Sequence, residues 1–215
     1  MVVFQQPLLE FPAGRSAHIV VGKSMLNTES CSQLISACND SFEALFHPGL
    51  TIGGLQKKTK NTYDFHYSYN QMPPLNLLQY DTFMRIESEV DTAVKSVLSL
   101  YLEEFKWLRQ APNPVHTGWR IQKYTKGQGY YDTHTDGDVW TPRLQKRILG
   151  VVLYLNTVDI GGETIFPDHQ VSVKANAGDI AIFPSNWTHP HSSAVPISDD
   201  KWIISTFIVC DISHN

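Results

Sequence analysis

No stretch of this 215-residue chain approaches the ~20 consecutive apolar residues that a membrane-spanning helix needs. The start, Met1-Val2-Val3-Phe4-Gln5-Gln6, lacks the charged region that opens a secretory signal. The expectation is a cytoplasmic or otherwise soluble intracellular protein with no membrane partner. Cysteine is scarce. Cys31, Cys38 and Cys210 are odd in number and follow no metal spacing, so they read as small buried residues in a reducing compartment, not as a disulfide framework. Neither sign of charge dominates, with a net charge of -4, and the basic runs Lys57-Lys58-Thr59-Lys60 and Arg143-Leu144-Gln145-Lys146-Arg147 are short and isolated. That leaves no electrostatic footprint for nucleic acid. Repeats, low-complexity tracts and Gly/Ser-rich linkers are also missing, which points to one domain over residues 1–215.

What is present is a change of period between the two halves. Leu26 to Cys38 reads as a helix, because Asn27 or Thr28 can cap it, Glu29 suits its positive first turn, and Cys31, Leu34, Ile35 and Cys38 share a face. A longer helix is expected from about Asp81 to Phe105, where Phe83, Ile86, Val90, Val94, Val97, Tyr101 and Phe105 recur every three or four positions. Such a stripe needs a broad surface to cover. The second half supplies it as short strands: Thr117 to Tyr124, Tyr130 to His134, Ile148 to Leu155, Glu163 to Phe166, Val171 to Lys174, Asp179 to Pro184, Thr188 to Ser192 and Trp202 to Val209. Turn-forming runs such as Lys126-Gly127-Gln128-Gly129 and Asp159-Ile160-Gly161-Gly162 separate many of them. The expected fold class is α+β, mainly β: a jelly roll (double-stranded β-helix, cupin-like) at about 115–211, braced by N-terminal helices at about 16–110.

His134 and Asp136 stand on an extended segment at a spacing that places both side chains on one face. Two imidazoles and one carboxylate form the ligand set of mononuclear non-haem Fe(II) oxygenases, which leaves coordination positions open for co-substrate and oxygen. The second imidazole must come from His189 or His191, and strand alternation cannot choose between them. What favours His191 is Lys201, ten residues on and after a polar turn that would bring the next strand back beside it. A cation there can grip the far end of a dicarboxylate whose other end chelates the metal.

Taken together, these residues carry a resemblance that covers most of the chain. Arg120-Ile121-Gln122-Lys123-Tyr124, Gly127 and Gly129, Tyr130 through Asp136, Arg147, Tyr154-Leu155-Asn156, Gly161 through Pro167, Ala177 through Pro184, His191 and Lys201-Trp202 resemble, in order and spacing, a prolyl 4-hydroxylase-type Fe(II)/2-oxoglutarate-dependent dioxygenase. The resemblance implies that His134, Asp136 and His191 bind iron, and that Lys201 and Tyr154 hold the distal carboxylate of 2-oxoglutarate. It implies that Tyr124 lines the co-substrate pocket, that Tyr131 meets the target residue, and that Arg147 stands near the substrate entrance. His189 is then a supporting residue. Iron(II), 2-oxoglutarate and O2 are the expected cofactor and co-substrates, with ascorbate as a candidate reductant.

The implied reaction is hydroxylation of a peptidyl proline with release of succinate and CO2. Tyr131, Trp140 and Trp202 are candidate platforms for a pyrrolidine ring or a polyproline-II segment. Two competing readings are the same chemistry on a free amino acid, other small molecule or other side chain, and a catalytically silent jelly-roll binding module. The chain departs from the family pattern at Ser192 to Pro196, at Asp199 where glycine is common, and in the short loop Gly137 to Lys146 with Trp140 and Pro142. Those departures bear on the substrate more than on the chemistry.

Overall fold

The computed structural model describes residues 8–40, 45–51, 54–67, 77–111, 114–137 and 146–210. Trp140 and Pro142 lie outside the described residues, as does the side chain of Phe83. Helix α1 is Thr28–Asp40 and helix α2 is Leu77–Glu104. Asn27 settles the capping question, since its Oδ1 accepts from the Ser30 backbone N–H at 2.7 Å. The α2 stripe is buried along Ile86, Val90, Val94, Val97 and Tyr101, whereas Phe105 falls just past the helix end and packs its ring on Tyr101.

The strands in the first half are β1 (Leu9–Glu10), β2 (Val20–Gly22), β3 (His47–Pro48), β4 (Lys60–Asn61) and β5 (Tyr63–Tyr67). Those that follow are β6 (Pro114–His116), β7 (Trp119–Tyr124), β8 (Tyr130–His134), β9 (Lys146–Tyr154) and β10 (Thr164–Phe166). The last four are β11 (Val171–Val173), β12 (Ile180–Pro184), β13 (His191–Ser193) and β14 (Lys201–Cys210). They form two antiparallel sheets. The larger runs β1-β2-β12-β9-β14-β7-β5-β3, with β6 also on β14, and the smaller runs β11-β10-β13-β8-β4. Two facing antiparallel sheets wound from non-sequential neighbours give the expected jelly roll.

Three differences from the sequence expectation have physical reasons. The first half is not only helical: β2 and β5 extend the larger sheet on either side, β2 being too short to alternate and β5, Tyr63-Asp64-Phe65-His66-Tyr67, alternating over only five residues. The expected strand from Thr188 begins only at His191, because Pro190 has no N–H to give a ladder and His189 instead closes a turn onto the Asn186 carbonyl. Finally, β14 does not return beside β13. The polar turn between them crosses from the smaller sheet to the larger, so Lys201 faces β13 across the interior.

Alternation in the larger sheet then sorts its side chains. Trp119, Ile121, Leu149, Val151, Leu153, Trp202, Ile204 and Ile208 join the helices in one core, worth roughly 1.5–3 kcal/mol for each large side chain. Tyr124, Tyr154, Phe183 and Ile203 point the other way, into the space between the sheets. That second face positions the site.

Candidate metal centre

Strand pairing brings the candidate ligands together. His134 ends β8 and is the register partner of His191 at the start of β13, with Asp136 just beyond the strand. One ligand atom from each of the three lies within 4.8 Å of the others. Asp136 Oδ1 is 3.5 Å from His134 Nε2 and its Oδ2 is 3.4 Å from His191 Nε2, so the carboxylate bridges toward both rings. The rings are held from behind by the backbone. His134 Nδ1 is 2.8 Å from the Asp132 carbonyl and His191 Nδ1 is 3.1 Å from the His189 carbonyl. A carbonyl only accepts, so each Nδ1 carries the hydrogen and each Nε2 lone pair is free to face a cation.

The surroundings fit a metal as well. Burial opposes ionisation of Asp136, but His191, His134 and Arg147 outweigh it and hold its carboxyl at about 2. Burial also pushes the His191 pKa down, which keeps the imidazole neutral and able to ligate. Gly150 on β9 gives the carboxylate its room, since a Cβ there would lie 2.8 Å from Asp136 Oδ2 and 2.8 Å from the Phe183 ring. A register shift between His191 and Ser193 turns the end of β13 inward. This is a donor set of two neutral imidazoles and one carboxylate, on one side of an accessible cavity.

Lys201 lines the same cavity and is 1% exposed. Its Nζ donates to Ser193 Oγ at 2.8 Å and lies 4.9 Å from the Tyr124 ring and 5.7 Å from the Tyr154 ring. Burial lowers its pKa to about 7, with Glu163 working the other way. Tyr124 lines the cavity together with Ser193, and burial drives its pKa up. Tyr154 is fully buried and donates to Thr164 Oγ1 at 2.8 Å, so Thr164 forms the wall with Tyr154 behind it.

The other expected site residues fall as follows. Tyr131 stacks on His134 at 3.5 Å between ring centres, and burial raises its hydroxyl to about 12. Behind it, Lys60 is buried against Asp64 at 2.6 Å and lies 5.1 Å from the Tyr131 ring. Arg147 donates to the Asp136 carbonyl at 3.0 Å and lies 3.7 Å from the Phe207 ring. His189 belongs to no ligand set: its Nε2 is 2.7 Å from the Ala17 carbonyl and its ring stacks on His169. Trp202 must be corrected. Next to Lys201 on a strand, it points to the helix side, buried at 5.7 Å from the Phe46 ring, and cannot meet a substrate in this cavity. Trp140 is outside the described residues.

Sequence reasoning missed Ser193, Thr164 and Gly150. Only the inward alternation on β10, β13 and β9 marks them, and that signal needs the sheet pairing to be read. It also passed over Arg120, which lines the cavity together with Gln122 and Tyr124.

Residues 119–209 match the family model described as the 2OG-Fe(II) oxygenase superfamily. A curated relative, "Prolyl 4-hydroxylase 13" of Arabidopsis thaliana, is 25% identical, with 59% of this chain and 55% of the relative covered. The chain thus spans about half the length of the relative it matches. Among solved structures, a viral collagen prolyl hydroxylase from Paramecium Bursaria Chlorella virus-1, in its 2OG complex, superposes with a TM-score of 0.59 at 20% identity, covering 90% of this chain and 96% of that one. A Trichoplax adhaerens prolyl hydroxylase in complex with a hypoxia inducible factor peptide fragment gives 0.66 at 13% identity, covering 91% and 85%. A Pseudomonas putida prolyl-4-hydroxylase gives 0.58 at 16%, covering 89% and 92%. At these identities the structural likeness shows the jelly-roll fold. The family match and the His-Asp-His donor set together fit iron(II) and 2-oxoglutarate.

Proposed function

We propose that this chain, with its 2OG-Fe(II) oxygenase match over residues 119–209, is a single-domain dioxygenase that hydroxylates a prolyl residue in an exposed, extended segment. The observation that carries this reading is the convergence of His134, Asp136 and His191 in a cavity that a buried lysine also lines. Bound iron(II) supplies the oxidising chemistry, coupling O2 and 2-oxoglutarate to C–H hydroxylation with succinate and CO2 as products. Within it, His134, Asp136 and His191 would hold the ion, each imidazole fixed through its Nδ1 hydrogen bond.

Lys201 takes the far carboxylate of 2-oxoglutarate, its ammonium oriented by Ser193 Oγ and flanked by the Tyr124 and Tyr154 rings. In this reading Tyr124 forms the co-substrate wall; Tyr154, expected to hold the same carboxylate directly, instead stands behind that wall and acts on it through its hydrogen bond to Thr164 Oγ1. Ile203, Val152 and Phe207 line the same cavity and give it an apolar wall. Tyr131, which lines the cavity and stacks on His134, meets the target residue in this reading, and Arg147, beside Asp136, stands near the substrate entrance.

The proline preference is supported by the relatives named above, all of them prolyl hydroxylases. The test is mass spectrometry of a peptide panel incubated with iron(II), 2-oxoglutarate and ascorbate as reductant. A gain of one oxygen on proline is the expected result. Substrate-stimulated succinate formation with small molecules, and none with proline peptides, overturns the peptidyl reading and leaves the oxygenase chemistry in place. No helix among the described residues is long and apolar enough to cross a membrane.

A further inference from the structure

Arg120 is the polar group that the proposed reaction leaves without a task. It sits on β7, on the inward face shared with Gln122 and Tyr124, and lines the same cavity as the metal ligands. Its Nε is sealed from solvent and has no hydrogen-bond partner, and no ion pair engages its guanidinium among the described residues. The nearest carboxylate on that sheet is already occupied: Asp64 pairs with Lys60 at 2.6 Å and accepts from Thr62 at 2.7 Å and Gln122 at 3.1 Å. Arg120 is half-buried, but a sealed Nε–H with no acceptor is costly unless one, such as an anion entering the cavity, completes it.

The position of Arg120 says which anion. In register, Tyr124 opposes Lys201, while Arg120 opposes Ser205. Four residues of strand separate the two backbone positions by about 13 Å, which sets Arg120 apart from the lysine that takes the distal carboxylate. The charges agree. Iron(II) and Lys201 balance Asp136 and both carboxylates of 2-oxoglutarate, which leaves the cation of Arg120 unmatched. Arg147 is committed to the Asp136 carbonyl and the Phe207 ring.

We infer that Arg120 is a specificity-determining residue that receives a carboxylate of the substrate oxidised in this site, an inference that rests on the oxygenase reading above. The substrate class is thereby an acid: a free amino acid, a chain ending in the target residue, or a segment with an acidic side chain beside it. The shared chemistry is a carboxylate held by a charge-assisted guanidinium fork.

The test uses the full chain loaded with manganese(II) and N-oxalylglycine, so that nothing turns over, and reads dissociation constants by calorimetry. Three pairs of probes separate the sources: L-proline and L-prolinamide; glycyl-L-proline and its amide; and N-acetyl-prolyl-glutamyl amide and its glutaminyl counterpart. In at least one pair the acid binds about tenfold or more tightly than its neutral partner. That preference is lost in Arg120→Gln and kept in Arg120→Lys, while affinity for 2-oxoglutarate stays within about twofold of the parent in both. Equal affinities within every pair, or no binding by any acid, overturns the inference. So does an Arg120→Gln protein that loses 2-oxoglutarate affinity as Lys201→Ala does, because Arg120 then serves the co-substrate. A parent protein that fails to bind 2-oxoglutarate with metal removes the oxygenase reading and this inference together.

Discussion

The larger sheet lays long strands such as β9 and β14 under two helices and buries one face of them with Leu149, Val151, Leu153, Ile204 and Ile208. The smaller sheet is made of strands of 2 to 5 residues, is irregular at His191/Ser193, and carries two of the candidate metal ligands while the third follows β8 directly. Stability is concentrated in the first and chemistry in the second. The reason is that a ligand set needs side chains aimed at one point, which short strands with bulges can provide once a well-packed sheet opposite holds them in place.

Substitutions that strike one sheet and spare the other test this division. The largest effect is expected at the smaller sheet's ligands: Asp136→Ala or His134→Ala brings succinate formation to background with thermal stability nearly kept, and retained turnover in either would break the ligand assignment. The reverse is expected in the larger sheet. Ile204→Ala, at a residue 3% exposed, lowers stability by about 2–5 kcal/mol in denaturant titration and leaves metal affinity per folded molecule intact. Loss of metal binding in the folded variant would show that the two sheets are not separable.

Lys201 comes from the larger sheet and serves the cavity, so it sharpens the comparison. Lys201→Ala is expected to remove about 1.5–3 kcal/mol of 2-oxoglutarate affinity while stability holds, since the charge it deletes is held at a cost in the unliganded protein. An unchanged requirement for 2-oxoglutarate would refute the carboxylate role. The sign of the pH dependence follows from burial, which lowers the Lys201 pKa to about 7. The ammonium grips a carboxylate and the free amine does not. Affinity is therefore full below about pH 7 and falls as pH rises above it, by at most about tenfold per unit, with proton uptake on binding. A profile flat across that range in calorimetry would show that the site holds the lysine charged by other means.

The smallest effect is expected at His189. Its ring ties the approach to β13 onto the Ala17 carbonyl, so His189→Ala should cost about 0.5–1.5 kcal/mol of stability and only part of the activity. A loss of metal equal to that of Asp136→Ala would mean that the wrong histidine had been chosen.

Both helices and eight of the strands were legible in the sequence, because their periodicity is long enough or their turns clear enough to register. The metal triad and Lys201 were legible through spacing and family likeness. Strands β2 and β5 were not: three residues carry no pattern, and the alternation of β5 runs over only five residues until β7 pairs with it. Trp202 was misplaced for another reason: once Lys201 faces the cavity, strand alternation already turns its neighbour to the other face, and that step was not applied. Ser193 and Thr164 were passed over because a hydroxyl on a strand has no motif.

By itself the sequence determined which residue types were available for the chemistry: two imidazoles, one carboxylate and a distant lysine, in an order that chance does not assemble. Side-chain chemistry is local and is written residue by residue. Tertiary structure alone decided that His191 lies opposite His134, that Lys201 faces Ser193 from the other sheet, and that Arg120 is turned into the cavity with its Nε unpartnered among the described residues. These are consequences of register and sheet closure, which depend on pairings between segments far apart in the chain.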